Sequence, residues 1–191
     1  MSAPVVHVIA GPNGAGKSTF ATRILQPATH LPLVNADIIA AERWPDSAES
    51  QAYEAARLAE RQRQDLLSCR SSFITETVFS HPSKVTLVQR AGAAGYQVRL
   101  HVIMIPADLA PNRVSERVRR GGHSVPERKI GERFERLWRY VADARRIADR
   151  TEFYDNSRAS TPFKLVAAYQ FGRPIREPAW PSWTPAILVV E

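Results

Sequence analysis

Apolar and polar positions alternate along this chain in blocks of two kinds. Residues 5–10, Val-Val-His-Val-Ile-Ala, form a short apolar run dense in β-branched side chains and predict a buried strand. Residues 18–25 place Phe20, Ile24 and Leu25 at helical spacing, and Gln26-Pro27 is expected to end that helix. Residues 31–37 read as a second strand finishing on Asp37, and 38–44 as a helical turn stopped by Pro45. A helix follows over about 51–68, capped by Ser47 or Ser50. Tyr53, Ala56, Ala59, Leu66 and Leu67 are expected inside it, and Arg57, Glu60, Arg61 and Arg63 outside. Residues 72–77 predict a third strand ending on Glu76-Thr77, and 82–94 a helix capped by Ser80 and closed by Gly95. Residues 97–105 are nearly continuously apolar, as in a strand covered on both faces.

The second half changes character. A helix over about 111–120 meets a glycine break at Gly121-Gly122 and restarts at Pro126-Glu127. The long helix beyond it, to about residue 149, carries Phe134, Leu137, Tyr140, Val141, Ala144 and Ile147 as its apolar stripe. Residues 151–156 predict a fifth strand. Residues 163–170 and 174–177, joined at Gly172, predict a terminal hairpin, and the tail from Pro178 is expected to lie along the surface. Alternating strands and helices imply a mainly parallel five-stranded sheet with helices on both faces. At 191 residues the chain is read as a single α/β domain over 1–191, with a lid over about 111–133 and the hairpin and tail over about 161–191.

Between the first strand and the first helix stands Gly11-Pro12-Asn13-Gly14-Ala15-Gly16-Lys17-Ser18-Thr19, which fits G-x-x-x-x-G-K-[ST]. The flanking strand and helix are the context that this P-loop pattern requires. Successive N–H groups at a helix N-terminus form a nest for anions, Lys17 reaches the β- and γ-phosphates, and the Ser18 hydroxyl is placed for Mg²⁺. The expected ligand is a nucleoside triphosphate, ATP or GTP. Ligands of such sheets lie outside the carboxyl ends of the strands. That rule selects Asp37 after strand two, Glu76 and Thr77 after strand three, and Asp155 and Asn156 after strand five.

Asp37 has three readings: a base that takes the acceptor hydroxyl's proton, a ligand to a Mg²⁺-bound water, or an N-cap for the following turn. Glu76 and Thr77 are candidates for acceptor hydroxyls, Glu76 also for Mg²⁺, with a solvated strand end as the plain alternative. Ser80, His81 and Lys84 either line the acceptor pocket or serve as cap and surface. The net charge of +7 is uneven: residues 111–150 hold eleven Arg and one Lys against six acids. A local cluster beside a phosphate loop suggests a clamp more than a nucleic-acid groove. On one helix Arg113, Arg117 and Arg120 share a face while Arg119 points away, and Arg133 can point back from the next helix. The alternative is a solvated, ion-paired face. His123 either contacts phosphate or stabilises the turn.

No apolar run approaches the roughly 20 residues of a membrane span. Met1-Ser2-Ala3-Pro4 lacks the pattern of a signal peptide, and the lone Cys69, read as packing filler, rules out an internal disulfide framework. A cytoplasmic location is expected.

The P-loop, Asn35-Ala36-Asp37, Glu76-Thr77, residues 120–127 (Arg-Gly-Gly-His-Ser-Val-Pro-Glu) and Tyr154-Asp155-Asn156-Ser157, in this order, resemble the zeta-toxin-like kinases, in particular their small stand-alone bacterial branch. The resemblance covers about residues 5–177. It implies a nucleotide-kinase-like, three-layer αβα P-loop NTPase fold. It also implies transfer of a phosphoryl group from ATP or GTP, with Mg²⁺, to a 3′-hydroxyl of UDP-N-acetylglucosamine, and an antitoxin protein as partner. By position, Lys17 and Ser18 would bind phosphate and metal, Asp37 would be the base, and Glu76 and Thr77 would hold the acceptor. The lid arginines would fall among Arg113, Arg117 and Arg120, with Arg133 as a further candidate. Between Gly122 and Pro126 the chain lacks the arginine that the toxins carry shortly before a lid proline. Two rival expectations stand beside this one: a nucleoside or polynucleotide-end kinase, and a nucleotide-binding regulatory or antitoxin-paired module with little catalysis.

Overall fold

A central strand, β1 (Val5–Ala10), organises the molecule; five of its six residues are buried. The structure is a computed structural model that describes residues 2–119 and 126–189. After the phosphate loop, α1 (Lys17–Phe20) runs through a π turn (Ala21–Leu25) into α2 (Gln26–Thr29). Pro27 therefore does not end the helix. The wider i→i+5 register of the π turn absorbs a residue that lacks an N–H, and the chain turns out only at His30, with φ at 57°.

Next come β2 (Leu33–Val34), α3 (Ala36–Arg43), α4 (Ala52–Ser68), β3 (Phe73–Thr77), α5 (Ser83–Ala93), β4 (Gln97–Met104), α6 (Leu109–Arg119) and α7 (Glu127–Arg145). The chain closes with β5 (Arg150–Asp155), β6 (Lys164–Gln170), β7 (Arg173–Pro174) and α8 (Ala186–Val189). One sheet has the order β2-β3-β1-β4-β5-β6-β7. The pairings β2·β3, β3·β1, β1·β4 and β4·β5 are parallel. The hairpin β6–β7 does not stand apart: β6 pairs antiparallel with β5, so the five parallel strands extend into a seven-stranded sheet.

Side chains alternate across the sheet and fill two cores. Val6, Val8, Phe73, Leu100, Val102 and Phe153 face one layer, where Ala59 of α4, Val88 of α5 and Leu137 and Val141 of α7 cover them. Ile9, Ile74 and Ile103 face the other, under Phe20, Ala21, Ala110 and Val114. Three layers, helix–sheet–helix, follow directly. The tail contributes to the first layer: Trp180 and Trp183 pack against it, Leu188 is fully buried, and buried Arg145 donates to the Leu188 carbonyl at 2.9 Å.

Several expected surfaces differ. Arg63 is buried (4% exposed) although it was expected outside, whereas Tyr53, expected inside, is 80% exposed. Ile147 lies past the end of α7 and is 42% exposed, and Cys69 is exposed at the end of α4. Ser80 does not cap α5; its Ser83 N–H instead reaches His81 Nδ1 at 3.2 Å.

Candidate active site at the carboxyl edge of the sheet

The phosphate loop is held in shape from behind. Gly16 sits at φ 90°, a left-handed conformation that costs an L side chain energy, and a Cβ there would stand 2.6 Å from Asn156 Nδ2. That amide donates to the Ala15 carbonyl at 2.8 Å, while Asn156 N–H bonds the Met104 carbonyl at 2.9 Å. Gly11 lies against the Ile103 carbonyl, where any Cβ would collide. Gly11, buried Ala15 and Asn156 therefore shape the loop and lie outside the cleft itself.

A cleft of about 710 Å³ opens above the loop. Asn13, Gly14, Gly16, Lys17, Ser18 and Thr19 form its floor. Lys17 is buried, and its Nζ donates to the Pro12 carbonyl at 3.0 Å. Burial pushes the Lys17 ammonium below the usual lysine range. The Glu76 and Asp37 carboxylates pull it back up, and the Arg117 and Arg133 guanidiniums press it down again. All four charged groups are thus near enough to act on Lys17.

Glu76 comes from β3, which lies directly beside β1, and not from the outer strand. Its Oε1 accepts from Ser18 Oγ at 3.0 Å and its Oε2 from Asn35 Nδ2 at 2.5 Å. The same Asn35 caps α3: its Oδ1 accepts from Asp37 N–H at 2.7 Å and Ile38 N–H at 3.3 Å. So Asp37 does not end a strand and is not the cap. It stands in the first turn of α3, exposed on the cleft wall. Sequence reading gives Asn35 no role of its own because the expected strand runs through it to Asp37, whereas β2 ends at Val34 and Asn35 is already the cap of α3.

Thr77 also lines the cleft, and its Oγ1 accepts the Phe79 N–H at 3.2 Å. His81 does not line it; it is exposed and bonded to Ser83. From the opposite wall α6 presents Arg113, Glu116 and Arg117, three residues of one helical face, with Arg119 exposed away from them. Arg113 is fixed by a 3.2 Å bond to the Ser157 carbonyl. Arg133 does not line the cleft, although its charge reaches Lys17. Arg120 and His123 lie outside the described residues.

A third wall comes from α4 and α5; sequence reading missed its α4 part, while Lys84 takes the pocket-lining alternative expected for it. Ala56, Ala59 and Arg63 of α4 and Lys84 of α5 line the cleft. The small stripe of Ala52, Ala55, Ala56 and Ala59 was the available signal, because Arg63 continues the same face one turn later.

Hard oxygen donors, the Ser18 hydroxyl and the Glu76 and Asp37 carboxylates, suit Mg²⁺. Among the described residues no group of three or more His, Cys, Asp or Glu could hold a metal by itself. Also among the described residues, no helix is long and apolar enough to cross a membrane.

No curated protein matches the sequence. Solved structures of similar fold include a protein of the PezAT chromosomal toxin–antitoxin system of Streptococcus pneumoniae. Its TM-score is 0.62 at 19% identity, with 88% of this chain and 72% of that one covered. A putative kinase from Chloroflexus aurantiacus gives a TM-score of 0.55 at 18% identity, covering 69% and 76%. A chain of the AvrRxo1-ORF1:AvrRxo1-ORF2 complex with ATP gives 0.58 at 16% identity, covering 90% and 60%. At these identities the likeness is one of fold. A model of the zeta toxin family matches residues 1–161, most of the chain, and the protein belongs to that family.

Proposed function

We propose that the protein is a kinase that transfers the γ-phosphate of ATP or GTP to a hydroxyl of a small molecule. The favoured acceptor is a sugar nucleotide, UDP-N-acetylglucosamine or a relative. The observation that carries this reading is the convergence in one cleft of the P-loop Lys17, the Asp37 carboxylate and the Arg113–Arg117 face. Loop N–H groups and Lys17 bind the triphosphate, and Ser18 with Glu76 would hold Mg²⁺. That ion supplies charge neutralisation at the β- and γ-oxygens when bound.

Asp37 accepts the acceptor's hydroxyl proton as the oxygen approaches phosphorus. The O–H bond breaks, the new O–P bond forms, and the bond from the γ-phosphorus to the bridging oxygen breaks to release the nucleoside diphosphate. Arg113 and Arg117 offset charge on the equatorial oxygens. Glu76, clamped between Ser18 and Asn35, keeps loop and acceptor wall in register. Arg120, Arg133, Asn156 and Thr77 complete the proposed set: Arg120 by its place in the sequence and Arg133 by its charge on Lys17 would serve the nucleotide, Asn156 braces its loop, and Thr77 serves the acceptor, while His81, outside the cleft, takes no part. An antitoxin protein as partner and a cytoplasmic site of action belong to the same reading; the first is carried from the pneumococcal toxin–antitoxin system.

The test is transfer from labelled ATP and Mg²⁺ to a panel of sugar nucleotides, nucleosides and RNA ends. Label on a sugar nucleotide is expected. Label on RNA ends alone replaces the acceptor, and label on none, with ATP bound, favours a regulatory module.

A further inference from the structure

The phosphate loop distributes its polar groups unevenly. Across residues 11–16 only Asn13 carries a polar side chain, and Pro12 has no N–H to offer an anion. The Pro12 carbonyl accepts the Ala15 N–H at 3.2 Å and the Lys17 ammonium at 3.0 Å, so both donors turn onto the loop itself. Asn13 lines the cleft, and among the described residues no hydrogen bond ties its side chain down. Its Oδ1 is buried without a partner. A buried acceptor with no donor opposes folding. The backbone does not call for an asparagine either: Asn13 is not among the residues of positive φ, so alanine would fit there. With the oxygen turned inward, Nδ2 is the amide atom that faces the cleft.

The position of Asn13 decides what that nitrogen can meet. Lys17 Nζ, the group that reaches the β- and γ-phosphates, lies 3.0 Å from the carbonyl of Pro12, the residue just before Asn13. Asn13 therefore stands at the end of the loop that serves the terminal phosphate. On its other side is α6. A Cβ built on Gly14 would stand 3.0 Å from both the Ala110 carbonyl oxygen and Arg113 Cβ, so the loop beside Asn13 nearly touches the arginine face of that helix. A γ-phosphoryl group held by Lys17 has Asn13 on one side and Arg113 and Arg117 on the other. An amide N–H there is a neutral donor. It can follow an oxygen through the transfer without adding charge to a site that already holds three cations.

We propose that the Asn13 side chain is the loop's contact to the γ-phosphoryl group. Its Nδ2–H donates to one γ-oxygen of the bound triphosphate and keeps that bond as the group passes to the acceptor oxygen. A diphosphate, which has no γ-oxygen, does not receive it. The contact rests on the kinase reading above and adds to it a residue that tells triphosphate from diphosphate and stabilises the transfer.

The probes are the Mg²⁺ complexes of a non-hydrolysable ATP analogue and of ADP, titrated calorimetrically into wild type, Asn13→Ala and Asn13→Asp. In Asn13→Ala the analogue should bind about fivefold or more weakly, while ADP affinity stays within about twofold. Single-turnover label transfer should slow by about tenfold or more. Asn13→Asp keeps the shape but replaces the donor by a negative acceptor, so it should do worse on both counts. The Tm of Asn13→Ala should equal or exceed that of wild type, because the buried unpaired oxygen is gone. Equal weakening of analogue and ADP, or a lower Tm, assigns Asn13 to loop structure and overturns the contact. An unchanged analogue-to-ADP ratio overturns it as well. A wild type that binds the analogue but labels no acceptor sinks the kinase reading; the analogue-to-ADP ratio in Asn13→Ala then still decides the contact.

Discussion

Asn35 does two jobs with one amide. Its oxygen caps α3 and its nitrogen holds Glu76, which in turn holds Ser18. Asn35→Ala should therefore lose a cap worth about 1 kcal/mol. It should also release Glu76, so phosphoryl transfer should fall by more than the stability loss explains. Urea unfolding beside steady-state kinetics separates the two; a variant with the stability loss and full kcat would show that the Glu76 clamp does not matter. Lys17→Ala should lower nucleotide affinity and turnover together, measured by calorimetry and label transfer. At this scale the P-loop was legible because its residue types and spacing carry the chemistry locally. Arg63 was not, because its burial is decided by which face of α4 meets β3. Nor was Asp37's place in a helix, because a short amide competes for the N-cap only in three dimensions.

Elements fix how those residues meet. The phosphate loop is rigid because the loop after β5 reaches under it: Asn156 spans from Met104 to Ala15. Gly16→Ala meets both a positive φ and that amide, so it should cost about 1–3 kcal/mol and loosen nucleotide binding at least tenfold. Thermal unfolding and analogue titration check it; an unaffected variant would mean that loop and Asn156 separate freely. The parallel strands were legible because both of their faces are buried, which leaves near-continuous apolar runs. The destination of β6 was not, since antiparallel pairing on β5 is settled by contacts between distant segments. Pro27 misled for a local reason: a π turn upstream accommodates it.

The whole molecule has a polar network within its second core. His7 Nδ1 and His101 Nε2 lie 3.0 Å apart between β1 and β4; His101 Nδ1 lies 3.4 Å from Glu152, which accepts from Tyr154 at 2.8 Å. Burial, and then the charges of His101 and Arg99, lower His7 to about 4. The His101 ring beside it, assisted by Tyr154, holds Glu152 down to about 2 against the pull of burial. In the unfolded chain His7 takes its proton near its ordinary value of 6.5, before the folded state does. Stability therefore falls as pH drops from 6.5 towards 4. Glu152 contributes stability above its ordinary value of 4.5 that is lost as pH falls through about 2. Unfolding free energy should drop by roughly 1–3 kcal/mol across the His7 window. His7→Gln should flatten that limb; an unchanged slope in the variant would assign the loss to other groups.

The account turns on Asp37 as the proton acceptor of a phosphoryl transfer. The most direct measurement compares Asp37→Asn with wild type for ATP-analogue affinity and for single-turnover label transfer to the acceptor that the panel identifies. Nucleotide affinity within about threefold and transfer slowed by roughly 10²–10⁴ is the expected result. Transfer at the wild-type rate in a variant that binds nucleotide normally would contradict it.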